Sequence, residues 1–163
     1  MNGSLIMMIG IPGSGKTTFA KQYAKDNDYF YISRDEIRLN LIKDKEHYFD
    51  RENDVWKEYV NRIVMHLEKG ETIIADATHL NRGSRLKLLN AIRPKVKPAQ
   101  VIGIVIDTPF EECMKRNNKR TGLELVPEQT MYNMNRNFKV PAFDEQFDKI
   151  YVVRDNKIIG RLK

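Results

Sequence analysis

The run Gly10-Ile11-Pro12-Gly13-Ser14-Gly15-Lys16-Thr17 constrains this chain more than any other stretch. It fits G-x-x-x-x-G-K-[ST], the pattern of a phosphate-binding loop, and its flanks fit as well. Leu5-Ile6-Met7-Met8-Ile9 ahead of it is a short continuous apolar run, the mark of a buried strand. Thr18 to Lys25 behind it reads as a helix. The glycines let the backbone curl so that several N–H groups converge on one anion, and the helix N-terminus adds the positive end of its dipole. Lys16 is expected to reach the outer phosphates of a bound nucleotide, and the Thr17 hydroxyl to bind Mg²⁺. Gly13, Ser14, Gly15 and Thr18 complete the predicted cradle.

Further strand-like runs occur at Tyr29–Ile32, Thr72–Ala75, Val101–Ile106 and Ile150–Val153, separated by stretches long enough for crossover helices. That alternation predicts an α/β fold of three layers, a central parallel sheet of about five strands with helices on both faces. Val55 to Leu67 has helical spacing, with Val55, Tyr59, Ile63 and Leu67 on one face. The neighbouring Trp56 reads as helix packing. A length of 163 residues predicts one domain.

Ligands in such folds sit beyond the carboxyl ends of the strands, so the residues just past each strand are informative. Ser33-Arg34-Asp35-Glu36-Ile37-Arg38 comes after the second strand. A kinase needs a carboxylate beside the acceptor hydroxyl to orient it and take its proton, a role Asp35 could fill. Arg38, at i+3, shares its helix face, so the two form either an ion pair or a base beside an acceptor clamp. Asp76 ends the third apolar run and is read as the carboxylate holding a metal-bound water. Asn81 reads as a helix N-cap. His79 has no partner at metal-ligand spacing.

After the fourth strand, Lys115, Arg116, Lys119 and Arg120 form a basic cluster closed by Gly122, and Pro127 opens another helix. Arg116 and Arg120 stand four apart, on one helix face. In a nucleotide-binding fold this is the place for a lid, about residues 115–127, whose arginines neutralise a transferring phosphoryl group. Met131, Met134 and Phe138 beyond it read as core. The charged stretch from Lys43 to Asp54, Glu52 included, reads mainly as a solvated face.

Twenty-eight basic and 22 acidic side chains leave a charge of +6, a modest excess that suits polyanionic ligands. The single cysteine, Cys113, excludes an internal disulfide and a cysteine-rich zinc site. No apolar run approaches the ~20 residues a membrane helix needs. The start of the chain runs straight into the first strand, so a cytoplasmic protein without a leader or membrane partner is expected.

Taken together these motifs resemble the 5′-kinase domains of the bacteriophage polynucleotide kinase type and the small P-loop kinases around them. The match spans nearly the whole chain: Gly-x-Pro-Gly-Ser-Gly-Lys-Thr-Thr, Ser-Arg-Asp-Glu-x-Arg, Asp-Ala-Thr-x-Leu-Asn and Lys-Arg-Asn-x-Lys-Arg. The resemblance implies ATP and Mg²⁺ as cofactors and the 5′-hydroxyl ends of DNA or RNA as acceptor. It implies Asp35 as general base and Arg38 as holder of an acceptor phosphate. Arg120 would sit on the transferred phosphoryl group, Arg116 near the donor nucleotide, and Arg34 and Thr78 beside the acceptor. The 3′-phosphatase domain of such enzymes uses Asp-x-Asp after a strand. Here the only such run, Asp26-Asn27-Asp28, reads as a turn, so kinase activity alone is expected. Residues 39–53, which border the acceptor, match poorly. A nucleoside, sugar or other metabolite as acceptor, or a regulatory ATP-binding module, stay as alternatives, though Asp35 beside Arg38 argues against a mere binding module.

Overall fold

The computed structural model describes residues 1–163. Its sheet has six strands: β1 (Leu5–Ile9), β2 (Phe30–Ser33), β3 (Ile73–Asp76), β4 (Val101–Ile106), β5 (Lys149–Arg154) and β6 (Lys157–Arg161). They lie in the order β2-β3-β1-β4-β5-β6. The first five run parallel. The sixth, beyond the five strands expected from the sequence, pairs antiparallel with β5 at the sheet's edge. Asp155 and Asn156 join the two, both in the left-handed region at φ 50° and 60°. That is the backbone a two-residue hairpin turn with native twist requires, and Asp and Asn tolerate it better than most side chains.

β1 shows why the fold has three layers. Successive side chains of a strand point to opposite faces. Leu5, Met7 and Ile9 join the core beneath α3 (Glu52–Glu68) and α4 (Arg82–Ile92), while Ile6 and Met8 join the core beneath α1 (Lys16–Asn27). Every residue of β1 is buried, as expected of a central parallel strand covered on both sides. Val55, Tyr59, Ile63 and Leu67 form the buried stripe of α3, and Trp56 packs half-buried against the same core, as the helical spacing indicates. No helix is long and apolar enough to cross a membrane.

A third, smaller core holds Ile11, Cys113 and Met131. It joins the phosphate loop to α5 (Phe110–Asn118) and α6 (Glu128–Asn137), with Met134 and Phe138 packed on its margin. The helix expected through the basic cluster stops at Asn118, and a single 3-10 turn at Gly122–Glu124 comes next. The Asn117 amide forms this break: it accepts from the Val126 N–H at 3.1 Å and donates to the Val126 carbonyl at 2.7 Å. Asp28, the last residue of the Asp-x-Asp run, is a left-handed C-cap of α1, a turn as expected.

Candidate active site

The ends of β1, β3 and β4 meet where the chain order reverses, and the phosphate loop fills the crevice there. Gly13 and Gly15 hold φ values of 80° and 94°. A Cβ on Gly13 would stand 2.4 Å from the Cys113 carbonyl oxygen, so glycine is required twice over at this position. Ser14 turns its carbonyl outward, where Thr108 Oγ1 donates at 2.8 Å and Arg116 Nη1 at 3.2 Å.

α1 begins at the loop with no side chain capping it and no acidic residue in its first turn. The N–H groups of its opening turn have no intrahelical acceptors, so the positive end of the helix is left for an anion. The other helices differ: α2 (Arg34–Leu41) is capped by Ser33, α4 by Asn81 in a capping box, and α3, α5 and α6 carry acids in their first turns. Lys16 is only 8% exposed and enters no ion pair with the chain's carboxylates. The buried Ser14 hydroxyl likewise has no protein partner. Thr18 faces the same cavity, a space of about 400 Å³ lined also by Gly13, Gly15, Thr108, Arg116 and Arg120. Arg116 and Arg120 thus converge, but through the break after Asn118 and not along one helix face. The β5–β6 turn, Asp155 and Asn156, closes the far side of this cavity.

Asp76, the last residue of β3, is 4% exposed. Its Oδ2 accepts from the Thr17 hydroxyl at 2.7 Å and from the Tyr31 hydroxyl at 2.5 Å. A hydroxyl and a carboxylate oxygen at that spacing are the hard ligands Mg²⁺ takes, so this donor set fits the ion. Tyr31 was not anticipated. Burial, and then the Asp76 charge, push its phenol well above the ordinary value, so it stays a donor to Asp76. His79, behind the site, is buried and neutral. Burial pulls its pKa down to about 4. Its Nδ1 donates to the Met8 carbonyl at 2.5 Å, which leaves Nε2 to accept from Tyr59 at 3.2 Å. Both nitrogens are thereby used in holding β1 against α3.

Ser33 is in register with Asp76, so α2 starts beside that carboxylate. There the Asp35 side chain is 77% exposed and accepts from Arg38 Nη1 at 2.6 Å. Glu52, expected on a solvated face, is no solvated charge: its carboxylate takes Nε and Nη2 of Arg38, the latter at 3.1 Å, and Nη2 of Arg34 at 3.1 Å. Burial opposes ionisation of Glu52, but Arg38 and then Arg34 outweigh it and hold its pKa below the usual value. Burial works against the Arg38 charge as well, and Glu52 and Asp35 more than compensate. Arg34 also lies over the Trp56 ring, 5.2 Å from its centroid. The Thr78 side chain makes no hydrogen bond. Its carbonyl accepts from the Gly10 N–H at 3.1 Å, so it shapes the loop through the backbone.

The chain has recognisable relatives. A mimivirus protein (Acanthamoeba polyphaga mimivirus) named as a bifunctional polynucleotide phosphatase/kinase is 32% identical over 154 residues, covering 91% of this chain and 32% of that protein. A mouse protein (Mus musculus), heterogeneous nuclear ribonucleoprotein U-like protein 2, is 28% identical over 90% of this chain and 21% of its own length. The L-seryl-tRNA(Sec) kinase of Methanococcus maripaludis is 26% identical over 88% of this chain and 56% of that enzyme. The chain therefore spans less than two thirds of each of these relatives. Among solved structures, a chain of the Pnkp1/Rnl/Hen1 RNA repair complex superposes with TM-score 0.69 at 25% identity, covering 83% of this chain and 44% of that one. Chaetomium thermophilum Kti12, in complex with ADP-AlF3, superposes with TM-score 0.67 at 19% identity, over 92% of this chain and 88% of that one. These likenesses agree with the sheet order and loop in giving a P-loop kinase-type fold. The family model described as an AAA domain matches residues 5–141, from the first residue of β1 to just past α6, and the chain belongs to that family.

Proposed function

We propose that this chain is an ATP- and Mg²⁺-dependent kinase that phosphorylates the 5′-hydroxyl ends of DNA or RNA, its 163 residues acting as one domain with a lid over about 115–127. The observation that carries the reading is Asp35, an exposed carboxylate held by Arg38 at the head of α2, one strand away from the Thr17–Asp76 pair. A binding module has no need of a base at that place. The names of the mimivirus relative and of the Pnkp1 complex support a polynucleotide acceptor.

Asp35 takes the proton of the acceptor hydroxyl as its oxygen bonds to the γ-phosphorus of ATP. The bond from that phosphorus to the β–γ bridging oxygen breaks, and ADP leaves with the electron pair. Lys16, the loop N–H groups and Arg120 carry the negative charge that accumulates on the phosphoryl oxygens, which is where fixed cations lower a barrier most. Arg116, bonded to the Gly13 and Ser14 carbonyls, anchors the donor side. Thr17, and Asp76 through water, would hold Mg²⁺, which supplies charge neutralisation and orientation of the phosphates.

The test is transfer of labelled γ-phosphate to a 5′-hydroxyl oligonucleotide, a nucleoside 3′-phosphate, free nucleosides and simple sugars, with Lys16→Ala as blank. Labelling of the first two, absent in the blank, is expected. Labelling of nucleosides or sugars with none on the oligonucleotide would refute the polynucleotide acceptor.

A further inference from the structure

Residues 42–51, the stretch with the poorest match to any motif, form no helix or strand, only turns between α2 and α3. Their two aromatic side chains behave oppositely. Tyr48 is 8% exposed, while its neighbour Phe49 is 67% exposed. The rings meet edge to face, centroids 5.0 Å apart at 71°. Both lie against the Arg38 guanidinium, at 5.6 Å for Tyr48 and 5.3 Å for Phe49. Single exposed apolar side chains are ordinary on a protein surface. Phe49 differs in that one face is fixed on a cation and one edge on a buried ring, so its open face is held in a set position.

We infer that Phe49 is the platform on which the base of the acceptor nucleotide stacks. The inference rests on the reading of Arg38 as the clamp for an acceptor phosphate. In a nucleoside 3′-phosphate the 5′-hydroxyl, the 3′-phosphate and the base are substituents of one sugar ring. Asp35, Arg38 and Phe49 are likewise contiguous: the first touches the second, and the second lies against the third. Arg38 has five N–H groups, and Asp35 and Glu52 take three, so the other two have no carboxylate partner within the chain. A ring stacked on a guanidinium presents a π-face that accepts any base, since every base has one. The acceptor would therefore be recognised as a nucleotide with little preference among bases. A sugar phosphate without a base would lose one of three contacts.

The experiment measures calorimetric binding of a nucleoside 3′-monophosphate and of the abasic 2-deoxyribose phosphate to the full chain, together with the acceptor KM in phosphoryl transfer. Phe49→Ala is expected to weaken the nucleoside monophosphate about 5- to 150-fold in Kd and KM, the range for loss of one aromatic–base stack. It should leave the abasic ligand and the ATP KM unchanged. Phe49→Trp and Phe49→Tyr should restore binding, which a merely structural role for the ring in holding Arg38 would not separate by ligand. Equal loss on both ligands, no loss on either, or no binding of the nucleotide by the wild-type chain would overturn the platform. Phe49-dependent nucleotide binding without phosphorylation of any 5′-hydroxyl would sink the kinase reading and leave the platform standing.

Discussion

At the scale of single residues, three substitutions separate chemistry from binding. Asp35→Asn is nearly isosteric and keeps an oxygen within reach of Arg38, so the fold and ATP binding should survive while kcat falls by about 10²–10⁴, as expected for loss of a general base. A folded variant with normal kcat would remove Asp35 from the chemistry. Arg120 and Arg116 face one cavity but have different partners. Arg116 is bonded to loop carbonyls, whereas the Arg120 side chain makes no hydrogen bond or ion pair within the chain and is available to a phosphoryl group. Arg120→Lys should therefore lower kcat with ATP affinity nearly intact, because a lysine cannot present two parallel N–H donors. Arg116→Ala should act mainly on the ATP KM. Steady-state kinetics that show both as simple KM variants would dismiss the lid role. The positions of the loop, Asp76 and Asp35 were legible because they are tied to strand ends and fixed spacing. Glu52 and Tyr31 were not: their roles come from side chains that meet across elements, and no local pattern records that.

At the scale of elements, the least expected interaction ties α4 to the segment before β5. Arg85 is 1% exposed, and its Nε and Nη2 donate to Glu145 at 2.7 and 3.0 Å. Nη1 donates to the His79 and Lys139 carbonyls at 2.9 and 3.0 Å. Glu145 also accepts from the Ala142 N–H at 2.8 Å, so residues 139–145 are strapped across the end of α4. Glu145→Ala would strand a buried guanidinium and should cost about 3–5 kcal/mol in urea unfolding. A loss of under about 1 kcal/mol would mean that water reaches Arg85. The start of α4 was legible here from its Asn81 cap, whereas the partner of a buried arginine 60 residues away was not. The missed β6 is a related case. Asp155-Asn156 is a weaker hairpin signal than Asp-Gly or Asn-Gly, and β6 is exposed throughout, so it has no buried alternation to read.

At the scale of the whole molecule, stability should depend on pH through His79. Its pKa, about 4 when folded, lies below the ordinary value near 6.5, so the unfolded chain binds the extra proton first. The stability contribution is full above about pH 6.5 and drains away as pH falls towards 4, by on the order of 3 kcal/mol. Urea unfolding at pH 7 and pH 4.5, for wild type and His79→Gln, measures it, and an equal slope in both would assign the loss elsewhere. The sheet order has a further consequence, in the time domain. β1 is made before either of its neighbours, β3 and β4, with Leu5 opposite Ile73 and Val101. The loop after it is fastened by Thr108, 94 residues later. On a ribosome adding 5–20 residues per second, that interval lasts roughly 5–20 s. Throughout it the five apolar residues of β1 have no complete sheet to enter. The nascent chain thus carries an apolar, aggregation-prone segment exposed over that interval, and binding by a holdase chaperone should map to residues 5–9.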